Sequence, residues 1–323
     1  MKKILKISAF VITGILALIL VAIAYISIAL PNVGPPEEMQ IEITEERVAH
    51  GKYLAHHVML CVDCHSVRDF ELFAGPPIQS TLAAGGEVFD KKEGFPGTFI
   101  SPNLTPFNLK DWTDGEIFRA ITTGVRKDGS AIFPVMPYGE YSKADAEDVK
   151  AVIAYLRTLD PVETNHPKSK PDFPFNIILN TMPKKANLSK RPDPKQDQVA
   201  YGGYLATISG CAECHTRFEN GAFVGERLAG GREFEFPEAM LVTPNLTPHE
   251  SGIGNWTKEM FVQRFKMYGD NYIPEKVKPG DFQTIMPWIM YAGMDESDLE
   301  AIYTYLKSLQ PVENYVEKFQ AKK

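Results

Sequence analysis

Apolar and polar residues alternate on several different periods along this chain, and each period predicts a different element. Within MKKILKISAFVITGILALILVAIAYISIAL no charge interrupts Ile7 to Leu30. As a helix that run extends about 36 Å, enough to cross the hydrocarbon core of a bilayer. A helical period follows further on: Val149, Val152, Ile153 and Leu156 recur at i, i+3, i+4 and i+7, and Leu299, Ile302, Tyr303 and Leu306 repeat them. Shorter helices are predicted over about 44–58 and 197–209. Two more start at Thr113, with Ile117, Phe118 and Ile121 on one face, and at Thr257, with Phe261, Val262 and Phe265. Thr113-x-x-Glu116 has the form of a capping box. Strand-like alternation is scarce.

The pattern also repeats as a whole. RVAHGKYLA (47–55) matches QVAYGGYLA (198–206), SPNLTP (101–106) matches TPNLTP (243–248), and DWT (111–113) matches NWT (255–257). MPYGEYSKADAEDVKAVIAYLRTLDPV (136–162) aligns without a gap on MPWIMYAGMDESDLEAIYTYLKSLQPV (286–312). A period near 150 residues exceeds any solenoid unit and signals a duplicated domain. The predicted organisation is an anchor over 1–30, a linker over 31–43 and a first domain over 44–162. A Pro- and Lys-rich linker over 163–195, a second domain over 196–314 and a tail over 315–323 follow. The apolar centre of the longer linker, Phe173 to Leu179, is expected to lie against one of the domains. Gly51 and Gly202 each cost a helix about 1 kcal/mol relative to Ala. Close crossing with the third helix of the same copy would explain both.

Lys2, Lys3 and Lys6 precede the apolar run and no lysine directly follows it, which places the N-terminus in the cytoplasm and the remainder outside. The run reads as an uncleaved anchor; a cleaved signal peptide, processed near Ala22-Ile23-Ala24, is the alternative. Of 34 basic residues, 31 remain once these three are set aside, against 41 acidic, a balance of −10 for the exported part. With no basic run or aromatic-basic interleaving, nucleic acid is excluded as a partner. The acidity serves solubility or a docking face for a basic redox partner.

All four cysteines lie in two pentapeptides, CVDCH (61–65) and CAECH (211–215), at equivalent places in the repeat. C-x-x-C-H is the attachment signature of c-type haem. Cys61 and Cys64, then Cys211 and Cys214, are the predicted thioether links to two covalently bound haems, with His65 and His215 as axial iron ligands. Structural zinc would require a second ligand pair close to each motif, and a thioredoxin-type redox pair would require a βαβ setting. Neither requirement is met. The sixth iron ligand is identified by the repeat, since Met136 follows Cys61 by 75 residues and Met286 follows Cys211 by the same 75. Met59, Met290 and Met294 instead face Ser209, Glu140 and Ala144. Pro137 and Pro287, following the two methionines, suit a rigid loop. His50, His56 and His57 precede the first motif without histidine counterparts in the second copy and are read as surface or packing residues; His166 and His249 also lack counterparts. Asn103, Asn245, Trp112 and Trp256 are candidate haem surroundings, as donors to the propionates, with a plain proline-bounded turn as the other reading of the Asn–Thr segments.

The order GG, [ST]PNLTP, SGIGNWT, MP[YW] and a helix closing on YL-x-x-L-x-PV resembles the cytochrome c subunits of bacterial membrane-bound alcohol and related dehydrogenases, over about 47–162 and 198–312. The resemblance implies two tandem all-α cytochrome c-like domains on the periplasmic face of the inner membrane. It also implies electron relay from a dehydrogenase catalytic subunit toward quinone or a terminal oxidase. That family commonly carries three haem motifs; this chain has two. Iron held by both His and Met has no open position for substrate, which predicts an electron carrier. The alternative is a dihaem enzyme, such as a cytochrome c peroxidase or a sulfur-compound dehydrogenase, with one substrate-accessible haem.

Overall fold

The helices form where the apolar spacing places them, and they form twice. In the computed structural model, which describes residues 2–236, 239–278 and 280–322, the first copy has its first helix at Glu45–Tyr53, capped by the Thr44 side chain. Its second, Asp114–Thr123, starts with the complete Thr113/Glu116 capping box and ends on Gly124 in the left-handed region at φ 75°. Its third is Ala146–Arg157, with Val149, Val152 and Ile153 wholly buried. The second copy answers with Gln198–Ile208, Lys258–Lys266 and Glu296–Ser308.

First and third helices pack against each other in both copies. A Cβ added at Gly51 would stand 1.8 Å from the carbonyl oxygen of Ala151, and one at Gly202 would stand 1.9 Å from that of Ala301. These are backbone-to-backbone contacts, so the missing side chain is what permits the crossing. The expectation drawn from the two glycines holds.

The all-α expectation does not hold as stated: helices make up less than half of the chain, and the described residues include three small sheets. Val88–Phe89, Gly97–Ile100 and Lys170–Pro171 form one antiparallel sheet; Glu233–Glu235, Ala239–Val242 and Phe319–Ala321 form its counterpart. A hairpin pairs Phe218–Glu219 with Ala222–Phe223. Strands of two to four residues are too short to show an alternation in sequence, which is why the pattern missed them. The third strand of each sheet comes from the segment read as linker or tail, so the structural repeat runs further than the matched sequence. The spacer after the anchor is also folded onto the first copy: Ile41 N–H donates to Asp114 Oδ2 at 2.9 Å, and a Cβ on Gly115 would strike the Glu37 carbonyl.

The copies are joined by a reciprocal exchange. Tyr53 donates its hydroxyl to Asp298 Oδ2 at 2.7 Å, and the equivalent Tyr204 donates to Asp148 Oδ2 at 2.5 Å. Each phenolic oxygen accepts in turn from the N–H of the partner helix's N-cap, Asp295 for Tyr53 and Asp145 for Tyr204. Arg227 closes on Glu140 across the same joint at 2.9 Å. Apolar side chains from both copies, including Val58, Val149, Ile208 and Leu299, form one continuous core. The apolar N-terminal run is a helix, Lys2–Ala29, with no buried residue.

Gly202→Ala, forcing a methyl group into a backbone carbonyl, is expected to destabilise the protein by about 3 kcal/mol or more, against well under 1 kcal/mol for Gly139→Ala, which meets open space. Denaturant unfolding measures both. A second expectation concerns acid. Burial of Asp148 disfavours its charge, but hydrogen bonds from His50 and Tyr204 and the positive charge of Arg191 outweigh it and hold the carboxyl below the usual range. A lowered folded-state pKa contributes stability above the unfolded value of about 3.9 and loses it as pH falls toward the folded value. The thermal midpoint should therefore drop below about pH 4, and drop less steeply in Asp148→Asn.

Candidate haem sites

Each first helix runs directly into its cysteine motif. Cys61–Cys64 and Cys211–Cys214 are single helical turns, preceded by a left-handed residue, Leu60 at φ 53° in one copy and Gly210 at φ 67° in the other. Leu60 bears a strain that Gly210 avoids. All four thiols are free and partly covered. Burial pushes Cys61, Cys64 and Cys211 up to about 12 and raises Cys214 as well, so each is a neutral thiol and none a standing thiolate.

The two histidines are fixed identically. His65 Nδ1 lies 2.8 Å from the Pro102 carbonyl oxygen, and His215 Nδ1 lies 2.9 Å from that of Pro244. Burial lowers both imidazole pKa values, partly opposed by the carbonyls, so the rings are neutral. A neutral ring bound to a carbonyl through Nδ1–H keeps Nε2 as a lone-pair donor, the state that a metal-ligating histidine needs. The carbonyl is held by a glycine: Gly85 N–H donates to the His65 carbonyl, Gly230 N–H to that of His215, each at 2.8 Å. Both glycines have positive φ and press on the Pro–Asn peptide so closely that a Cβ would lie 2.5–2.6 Å from it.

Met136 and Met286 sit in matching turns. Tyr138 N–H donates to the Met136 carbonyl at 2.7 Å and Trp288 N–H to that of Met286 at 2.8 Å, with Pro137 at φ −78°, ψ 52° and Pro287 at φ −79°, ψ 63°. These are inverse γ-turns, with φ preset by the proline ring. Both methionines are partly buried and pack on the core. Sequence reasoning missed the next partners. Tyr141 donates to the Met59 carbonyl and Tyr291 to that of Ser209, each at 2.6 Å, two residues before the first cysteine of its motif. The Tyr shared by MPYGEY and MPWIMY was the available signal.

Asn103 and Asn245 are placed otherwise than as propionate donors. Both amide N–H groups of Asn103 are taken by Val162 O and Thr164 Oγ1 at 2.8 Å, and its Oδ1 accepts from Thr105. Asn245 likewise gives its N–H groups to Val312 O and Ser251 Oγ and accepts from Thr247. Buried and saturated, they tie the PNLTP loop to the Pro-Val that follows the third helix. Trp112 and Trp256 are half-buried against the core; Trp112 O accepts from Arg157 and Trp256 O from Tyr303. The remaining histidines have partners of their own: His50 with Asp148, His56 with the Tyr155 hydroxyl, His57 with Met290 O, His166 with Ala84 O and His249 with Ser251 Oγ.

The residues fit a covalently tethered porphyrin on three grounds. The thiols are neutral and partly accessible, the histidines are locked with Nε2 unused, and the buried Tyr138 hydroxyl beside Met136 has no protein partner. A cavity of about 630 Å³ borders Tyr138, with Lys184 and Lys185 at its wall and Glu213 and Phe223 contributed by the second copy; the motif cysteines and histidines and the two Met–Pro methionines do not line it. Among the described residues no three His, Cys, Asp or Glu converge as a metal cage.

No family model matches the chain. It is 30% identical over 289 residues to the alcohol dehydrogenase (quinone) cytochrome c subunit of Gluconacetobacter polyoxogenes, covering 82% of this chain and 56% of that protein. The fructose dehydrogenase cytochrome subunit of Gluconobacter japonicus is 28% identical over 291 residues, covering 85% of this chain and 55% of the relative. A diheme cytochrome c-type protein of Cereibacter sphaeroides is 30% identical over 202 residues, 58% of this chain and 63% of its own. The resemblance read from the motifs is thus borne out, and the chain spans little more than half the length of the dehydrogenase subunits that it matches.

Tyr291→Phe should cost about 1–3 kcal/mol, because it leaves a buried carbonyl without its donor. Exposed Tyr315→Phe should stay within about 0.5 kcal/mol. Chemical denaturation of both variants provides the check.

Proposed function

We propose that the chain is a membrane-anchored dihaem cytochrome c that carries electrons between a dehydrogenase or other respiratory donor and a quinone, oxidase or soluble acceptor outside the cytoplasm. The observation that carries this reading is the identical fixation of His65 and His215 by proline carbonyls, in two copies that also share a Met–Pro turn. Haem c, when bound, supplies a one-electron iron couple. Cys61, Cys64, Cys211 and Cys214 would tether the group; His65 and His215 would give their Nε2 lone pairs to its iron, and Met136 and Met286 their thioethers. The carbonyl partner of each Nδ1–H fixes ring orientation and raises the basicity of the ligating nitrogen. The inverse γ-turns hold each thioether on a proline-stiffened loop, so neither ligand has to move when the charge on the metal changes. Residues 44–162 and 196–314 are the two haem-binding units, joined rigidly by the Tyr–Asp exchange. Similarity to dehydrogenase cytochrome subunits supports a dehydrogenase as the donor, and the helix Lys2–Ala29 supports a retained anchor.

Protein matured in a host that attaches haem c should contain two haems per chain by haemochrome assay and show a methionine-to-iron charge-transfer band when oxidised. Met136→Ala and Met286→Ala should each remove about half of that band and lower one reduction potential by on the order of 100 mV. An undiminished band in either variant would refute that ligand assignment, and a high-spin fraction with peroxide turnover in the parent protein would establish the enzyme reading in place of the carrier.

A further inference from the structure

The anchor is not isolated from the rest of the chain. It packs against the short helix Phe175–Ile178 and the following turn Leu179–Thr181, both in the segment between the copies. Ile23 and Ile26, one turn apart, are partly covered, whereas the other described residues of the anchor helix are exposed. They lie four and seven residues before Leu30, so the contact is about 6–10 Å from the end of the apolar run. Centred on a core of about 30 Å, the roughly 36 Å run overshoots each face by about 3 Å, so the contact lies about 3–7 Å inside the acyl region, within the depth that interfacial segments reach.

The segment that reaches this depth has two faces. Phe175 turns inward onto Phe133, with ring centroids 5.5 Å apart, and Leu179 is buried. Phe173, at 77% exposure, and Ile178, at 44%, are exposed. Charge points the same way. The exported part is strongly acidic, yet residues 163–195 carry seven basic and three acidic side chains, with Lys184 and Lys185 exposed just beyond the apolar turn. Apolar side chains followed by lysines, beside the end of a membrane-spanning helix, match an anionic lipid surface and not the water phase.

We infer that the segment 173–185 is a second membrane contact: Phe173 and Ile178 insert at the acyl boundary and Lys184 and Lys185 meet anionic lipid headgroups. A single helix leaves the exported part free to tilt and swivel. A second contact, on a segment whose backbone is a strand of the first copy's sheet at Lys170–Pro171, fixes which face of that copy is turned to the membrane. The inference rests on the anchor being retained, which the intact mass of the purified protein reports separately.

The test uses full-length holoprotein in phosphatidylcholine vesicles with or without phosphatidylglycerol. Phe173→Cys, Ile178→Cys and Met260→Cys each add one thiol, probed with a charged maleimide that requires water and normalised to the rate in the unfolded chain. By exposure alone Cys at 173 should react faster than Cys at 260, where the native side chain is 51% exposed. Membrane contact reverses the order, with labelling at 173 and 178 at least about tenfold slower than at 260. Lys184→Gln with Lys185→Gln should restore labelling at 173 by about fivefold per charge in phosphatidylglycerol vesicles and leave it unchanged in phosphatidylcholine alone. Labelling at 173 as fast as at 260 would overturn the inference. So would protection that appears only when a dehydrogenase subunit is present, since the covering surface would then be protein. Labelling of the unsubstituted chain would report free motif cysteines and count against the haem reading instead.

Discussion

The contact on which the rest of the structure depends is the backbone crossing at Gly51 and Gly202. In each copy the first helix leads into the cysteine motif and the third follows the Met–Pro turn, so their separation sets how the two sides of the site face each other. A glycine inside a helix costs about 1 kcal/mol; here that loss is offset by placing Ala151 and Ala301 carbonyls where any side chain would collide. Tyr141 and Tyr291 then close the same loop at the other end, binding the Met-bearing turn to the carbonyl just ahead of the cysteines. Crossing and clasp together leave the intervening space a fixed width.

A second constraint acts on orientation. Gly85 and Gly230 bind the histidine's own carbonyl, and the Pro102 or Pro244 carbonyl binds its ring, so the same PNLTP loop that packs on the glycine also aims the imidazole. Asn103 and Asn245 complete this by fastening the loop to the end of the third helix. The PNLTP repeat is therefore explained by scaffolding: its proline carbonyl reaches the histidine of the cysteine motif, and its asparagine reaches the Pro-Val that follows the third helix.

What could be read in the sequence was whatever repeats at side-chain level over a helical period. The capping box at Thr113, the two helical glycines and the cysteine motifs all belong to that class. The short strands do not, because Lys170–Pro171 and Phe319–Ala321 are defined by backbone pairing to Gly97–Ile100 and Ala239–Val242, and their side chains share no pattern. Asn103 and Asn245 were legible as important but not as saturated, since their partners lie some 60 residues away in sequence. Tyr53 and Tyr204 match in the alignment, yet nothing in one dimension shows that each bonds to the other copy's aspartate.

The copies differ where a residue has been added. Between Tyr53 and Cys61 there is one more position than between Tyr204 and Cys211. The first copy absorbs it as a π-helical turn, Leu54–Val58, the usual structural consequence of a single insertion in a helix. The widened turn displaces His57 toward the other copy, where its Nδ1 lies 2.8 Å from Met290 O and its ring fills the space above Gly293. His56, turned to the Tyr155 hydroxyl, is held neutral by burial, which lowers its pKa to about 4. The insertion thus leaves the Cys-x-x-Cys-His geometry intact while building a contact that breaks the symmetry of the joint.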